Sequence, residues 1–177
     1  VGVLYRLKSL LPLRIMVNLY NTMVLPHLSY CTIVWGNCSN YILNRLIVLQ
    51  KRAIRCVTNS HFLAPTNPLF KKLKILKVSD LFTLQIACFM YKFSKDVLPD
   101  IFKDYFICNN KVNSYRTRNS ESLYIPFYRL SLSRNTIRYI GPNIWNSVTP
   151  SLKLCPTLSS FKRKFKLQLL DAYCEQT

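Results

Sequence analysis

Apolar residues recur along this chain at helical rather than alternating spacing, most clearly between Tyr41 and Thr58. At about 100° per residue, Leu43, Leu46, Ile47, Leu49, Ala53, Ile54 and Val57 fall within one half of the circumference. Arg45, Lys51, Arg52 and Arg55 lie on the other half. The pattern predicts an amphipathic helix with an apolar floor and a basic roof. Upstream, Pro12 splits two helical stretches, Val3–Leu11 and Leu13–Leu25, because proline starts helices well and interrupts them internally. Pro26 to Trp35 is rich in β-branched and aromatic residues, so helix and strand both fit; its neighbours favour helix.

Downstream, a connector from His61 to Pro68 leads into a short basic helix, Leu69–Leu76, carrying Lys71, Lys72 and Lys74. Ser79 or Asp80 caps the next helix, Leu81–Phe93, which is apolar almost all round and therefore belongs inside a bundle. After Pro99 a Ser/Thr/Asn/Arg-rich stretch reaches Ser122 and reads as a loop or boundary. Leu123–Tyr128 and Thr136–Ile140 look extended, the second stopped by Gly141 and Pro142, and are expected to pair as a small ribbon. A last helix runs from Pro156 and Thr157 to Tyr173. It sets Leu158, Phe161, Phe165 and Leu169 on one side, flanked by Lys162, Arg163, Lys164 and Lys166. The expected fold is mainly α: a helical bundle over 1–107, then a subdomain over 108–177 with an irregular or β-ribbon part and a terminal basic helix.

Composition sharpens this picture. Of 177 residues 50% are apolar, enough to offset the entropy of ordering a core, which excludes a disordered basic tail. Lys and Arg number 25 against 7 Asp and Glu, a net charge of +18 that calls for an anionic partner, either nucleic acid or a membrane surface. No acidic residue occurs between Val1 and Ser79. The seven cysteines are scattered without the close pairs of a zinc site or a disulfide framework, so the chain is taken as reduced and intracellular. Its opening at Val1, with no signal-peptide layout, reads as a slice of something longer. The most apolar run, Leu81 to Tyr91, is shorter than the roughly 20 residues a membrane helix needs, so no membrane span is expected.

Candidate chemistry is sparse. Three glycines leave no Gly-rich phosphate loop. Asp96, Asp100 and Asp104 share i, i+4, i+8 spacing, but Pro99 between them favours a solvated acidic edge over a metal site. His27 and His61 lack acidic neighbours that would orient a general base. Neither a catalytic residue nor a metal ligand is expected. Basic and aromatic residues do interleave in Tyr115, Arg116, Arg118, Tyr124, Phe127, Tyr128, Arg129, Arg134, Arg138 and Tyr139. That mixture suits a nucleic-acid strand, since cations meet phosphates and rings stack on bases. A small aromatic core with a solvated rim fits the pattern slightly better.

Several short stretches, in order and spacing, resemble the region just after the polymerase palm in jockey-like non-LTR retrotransposon reverse transcriptases, the thumb and following linker. They are Gly2-Val3-Leu4-Tyr5-Arg6-Leu7-Lys8 with Leu11-Pro12, then Leu19-Tyr20, Leu25-Pro26-His27-Leu28, Tyr30-Cys31 and Trp35-Gly36. Leu49-Gln50-Lys51-Arg52-Ala53-Ile54-Arg55, Pro68-Leu69-Phe70-Lys71-Lys72-Leu73, Tyr139 to Trp145-Asn146, and Phe161-Lys162 with Lys164 follow. The resemblance implies a non-catalytic segment that holds template–primer or element RNA against the palm of the same polypeptide, within an RNA-directed DNA polymerase acting in cytoplasm and nucleus. The palm's Asp-Asp motif is missing, so the segment is expected to be inactive alone and to hold no cofactor; Mg would belong to the palm. Phosphate contacts are expected first from Arg45, Lys51, Arg52 and Arg55, then from Lys71, Lys72, Lys74, Arg116, Arg118, Lys162, Arg163 and Lys164. The rival expectations are a basic amphipathic module for a membrane surface or protein partner, and a decayed element remnant without activity.

Overall fold

Helices account for most of the chain, as the spacing of its apolar residues requires. The computed structural model describes residues 1–112 and 119–174. Helices α1 (Gly2–Leu7), α2 (Leu13–Met23), α3 (Leu25–Ser29), α4 (Thr32–Trp35), α5 (Asn40–Val57), α6 (Asn67–Leu73) and α7 (Val78–Ser94) come first. Then follow a 3-10 turn (Asp100–Phe102), α8 (Asn109–Val112), α9 (Ser131–Arg134), α10 (Ile137–Ser147), α11 (Pro150–Lys153), α12 (Leu158–Asp171) and a second 3-10 turn (Ala172–Cys174). The fold is mainly α. Among the described residues β pairing is confined to one antiparallel bridge, Cys108 with Leu123.

The contacts divide the chain into two units: Val1–Phe82 with the chain from Lys166 onward, and Thr83–Phe165. The expected boundary at 107/108 falls inside the second unit, where the amide of Tyr124 bonds the carbonyl of Ile107 (2.8 Å) beside the Cys108–Leu123 bridge.

In the first unit α5 packs against α1, α2 and α6. Leu4, Met16, Tyr20, Ile54, Phe70, Leu76 and Val78 are buried between them. Each such side chain contributes about 1.5–3 kcal/mol by leaving water. Gln50 lies at the middle of this core, 2% exposed. Its Nε2 donates to the Tyr20 hydroxyl (3.0 Å) and to the Leu76 carbonyl (2.9 Å), and its Oε1 accepts the Val78 amide (3.0 Å). One polar side chain thus ties α5 to α2 and to the entry of α7.

Helices α5, α6 and α7 all end in the same way. Asn59, Lys74 and Asp96 take left-handed conformations (φ 48, 54 and 53°). The next amides, of Ser60, Ile75 and Val97, reach back to the carbonyls of Arg55, Phe70 and Lys92 at 3.0 Å each. This is the paired-bond C-terminal cap that glycine usually closes; no glycine in this chain has positive φ.

The second unit is built on α7 from Thr83. Phe89, Phe93, Phe102, Tyr105 and Phe106 form an edge-to-face cluster, while Tyr91 stacks on Phe161 with centroids 4.8 Å apart. The Tyr91 hydroxyl donates to the Cys155 carbonyl at 2.6 Å.

One local expectation changes and two others are met. Thr136–Ile140 is not a strand: Thr136 caps α10, which runs through Gly141 and Pro142 to Ser147. Burial of Gly141, Pro142 and Trp145 on one side of α10 outweighs the hydrogen bond that proline cannot make. No ribbon therefore forms, and Leu123 makes its single bridge to Cys108 instead. Pro26–Trp35 folds as α3 and α4, broken where Cys31 turns left-handed (φ 48°). Asp96, Asp100 and Asp104 do not share a helix face, since α7 stops at Ser94 and Asp100 starts a separate 3-10 turn.

Candidate nucleic-acid interface

Helix α5 runs for 18 residues without glycine or proline, about 27 Å at 1.5 Å per residue, long enough to follow about eight phosphates of one strand. Its inward face is Gln50, Ala53, Ile54, Cys56 and Val57. The outward stripe is Tyr41, Arg45, Val48, Leu49 and Arg52, all exposed. Leu49, expected on the apolar floor, is 47% exposed, because Gln50 takes the central inward position.

Three hollows lie along this helix. Tyr41, Asn44, Arg45, Val48 and Leu49 line a shallow trough of about 400 Å³. At the other end Tyr5, Lys8, Arg52, Arg55, Ser60 and Phe62 line an open groove of about 490 Å³. Lys8 also borders a hollow of about 290 Å³ with Val57, Thr58, Asn59 and Lys72. No acidic residue lines any of the three.

The side chains of the groove are partly set in place. Arg55 Nε donates to the Ala64 carbonyl at 2.9 Å, which anchors this side chain at the groove. The Lys8 ammonium lies 4.6 Å from the Tyr5 ring centroid, a cation–π pair one helical turn apart. Thr58 and Ser60 hydroxyls bond each other at 2.8 Å at the rim. Tyr5 and Phe62 are 61% and 65% exposed, Tyr5 with the Lys8 ammonium over its ring.

The described carboxylates of the first unit, Asp80 and Asp171, are committed elsewhere. Asp80 accepts a short hydrogen bond from the Tyr173 hydroxyl, and Asp171 pairs with Lys71 at 3.7 Å. Burial and the bond to Asp80 both push the Tyr173 phenol well above its usual range. The bond Tyr173 accepts from the Lys77 amide (3.0 Å) and the Lys77 ammonium over its ring (4.3 Å) complete a clasp that seats Tyr173 on α6 and α7. Nothing in this clasp neutralises α5.

The expected contact residues separate by position. Arg45, Arg52 and Arg55 line the hollows of α5, and Lys51 is half-buried on the same helix. Lys72 joins them through the hollow it shares with Lys8. Lys74 is exposed but held in its left-handed cap, and Lys71 is drawn to Asp171. Lys162, Arg163 and Lys164 are exposed on the part of α12 that belongs to the second unit. Three consecutive positions there fan around the helix rather than share a face. Arg116 and Arg118 lie outside the described residues.

Sequence reasoning missed Tyr5, Lys8, Ser60 and Phe62. The i, i+3 spacing of Tyr5 and Lys8 on a helix was the available signal; Ser60 and Phe62 sit in a connector where periodicity says nothing.

No group of three or more His, Cys, Asp or Glu that could hold a metal ion occurs among the described residues. Nor, among them, is any helix long and apolar enough to cross a membrane. Compared with protein-family models, curated proteins and solved structures, the chain matches none.

Proposed function

We propose that this chain is a non-catalytic nucleic-acid-binding segment whose first unit grips phosphates through Lys8, Arg45, Lys51, Arg52, Arg55 and Lys72. The observation that carries this reading is the row of cation-lined hollows along α5, unrelieved by a single carboxylate. Such a surface holds a backbone in place without reading sequence, because phosphate contacts position and base contacts specify. The motif resemblance supplies the larger context: a thumb-like part of an RNA-directed DNA polymerase of the non-LTR retrotransposon kind. There it would hold template–primer or element RNA, in cytoplasm and nucleus, while Mg chemistry belongs to the palm.

Charge removal tests the grip. Arg45, Arg52 and Lys72 are exposed and outside the core, so replacing all three by Ala should leave the fold intact. The triple variant should bind every duplex sequence more weakly, and the slope of log affinity against log salt should flatten by about 3. Loss confined to one sequence contradicts a backbone grip.

A second reading draws on the exposure of Tyr41, Ile42, Val48 and Leu49 beside those cations, at 73%, 51%, 46% and 47%. Such a face also suits an anionic membrane surface or an acidic protein partner. Co-sedimentation with anionic vesicles that survives competing RNA favours it.

A further inference from the structure

The second unit holds a pocket that the phosphate grip does not use. Tyr105, Phe106, Tyr124, Pro126, Tyr128 and Arg138 enclose about 200 Å³, smaller than the roughly 300–1,000 Å³ of pockets for drug-sized molecules and suited to a single ring system. Its floor is fixed. Phe106 is 7% exposed and meets Phe93 and Tyr105 edge to face, at 4.9 and 5.4 Å between centroids. Gly141 approaches so closely that a Cβ there would stand 3.3 Å from the Phe106 ring.

The walls are held as firmly. Asn146 closes on Leu123 from both sides, its Oδ1 accepting the amide (3.1 Å) and its Nδ2 donating to the carbonyl (2.9 Å). The next residue, Tyr124, is tied to Ile107. Opposite, Arg134 Nε donates to the Tyr128 carbonyl at 3.0 Å. Three tyrosines, Tyr105, Tyr124 and Tyr128, line this frame.

The charge of the pocket decides its ligand class. Cages of aromatic rings commonly take cations. Here the Arg138 guanidinium already lies 5.3 Å from the Tyr105 centroid, and no carboxylate lines the pocket. A second cation is repelled, whereas a flat ring joined to an anion finds π faces, phenol donors and a guanidinium together. We infer that this pocket receives one unstacked base of a single-stranded nucleic acid, with Arg138 on the adjoining phosphate. The inference rests on the reading of this chain as a nucleic-acid binder. It adds a separate site in the second unit and a preference for single strands that a phosphate grip lacks.

The test compares a fluorescein-labelled single-stranded 12-mer with the duplex of the same sequence, by anisotropy on the whole chain. Tyr124→Ala and Tyr128→Ala should each weaken single-strand binding about tenfold and leave duplex binding unchanged, since stacking acts only on an unpaired base. Tyr128→Phe should retain the affinity. A 5-bromouridine strand on the unaltered protein should cross-link to Tyr105, Tyr124 or Tyr128, which holds even if a variant fails to fold. Unchanged single-strand binding, equal loss for both probes, or cross-links confined to α5 overturns the inference. In those cases a steep salt dependence still leaves the phosphate grip standing. Absence of any nucleic-acid binding overturns both. Displacement of the strand by a proline-rich peptide but not by mononucleotides assigns the pocket to a protein partner and also overturns it.

Discussion

Replacing Gln50 by Leu removes the most connected polar side chain of the first unit's core. Three buried groups lose their partner: the Tyr20 hydroxyl, the Leu76 carbonyl and the Val78 amide. A stranded buried donor or acceptor costs about 1–3 kcal/mol. Three of them, offset by about 1.5–3 kcal/mol for burying an added apolar side chain, leave a net loss of about 3 kcal/mol. That is a large share of the 5–15 kcal/mol typical of a domain. With a urea slope of about 2 kcal/mol per molar, the unfolding midpoint followed by circular dichroism should drop by about 1.5 M. Gln50→Glu adds a signature that packing alone cannot produce. An ionised carboxylate accepts the Val78 amide but faces the Leu76 carbonyl, so burial raises its native pKa. The stability of this variant is then greatest below the free carboxylate value of about 4.3 and is lost as pH rises. It should lie nearer the parent at pH 4 than at pH 7. A Gln50→Leu midpoint close to the parent's, or a Gln50→Glu deficit equal at both pH values, refutes the role given to this residue.

Other perturbations follow from the same core. A Cβ on Gly36 would overlap the Phe82 ring and the Thr32 carbonyl oxygen, so Gly36→Ala must displace both and should cost about 1–3 kcal/mol in urea unfolding. Lys74→Gly relieves a left-handed lysine (φ 54°) and should stabilise the first unit by about 1 kcal/mol, read as a higher Tm. Burial and Asp80 hold the Tyr173 phenol protonated in the native state, its pKa raised. Stability should therefore be flat up to about pH 10, where unfolded tyrosine ionises, and fall above it. Tyr173→Phe should be less stable at pH 8 and show a shallower alkaline decline in urea midpoints.

The helical bundle was legible because its apolar spacing is the physical cause of its packing. The α5 pattern put Ala53, Ile54 and Val57 inward and Arg45 and Arg52 outward, as observed. It misplaced Leu49 because hydropathy treats Gln50 as a surface residue, whereas three hydrogen bonds make it the cheapest occupant of the central position. Helix ends were harder to see. Asn59, Lys74 and Asp96 do the work of glycine, so the usual stop signal is missing and α6 ends at Leu73, three residues before the expected Leu76. In the second unit Gly141 and Pro142 imitate a strand end; only burial of Trp145 beside them shows that the helix continues. For the interface, the charge of α5 was readable, but the groove is not. Tyr5 and Phe62 meet Arg52 only through the packing of α1 and the connector on α5.

The most direct test of the central claim is a salt titration of duplex binding by the whole chain. If Lys8, Arg45, Lys51, Arg52, Arg55 and Lys72 each neutralise a phosphate, log affinity should fall against log salt with a slope of about −5, alike for unrelated sequences. An affinity that does not change with salt, or a steep slope for one sequence alone, contradicts the account.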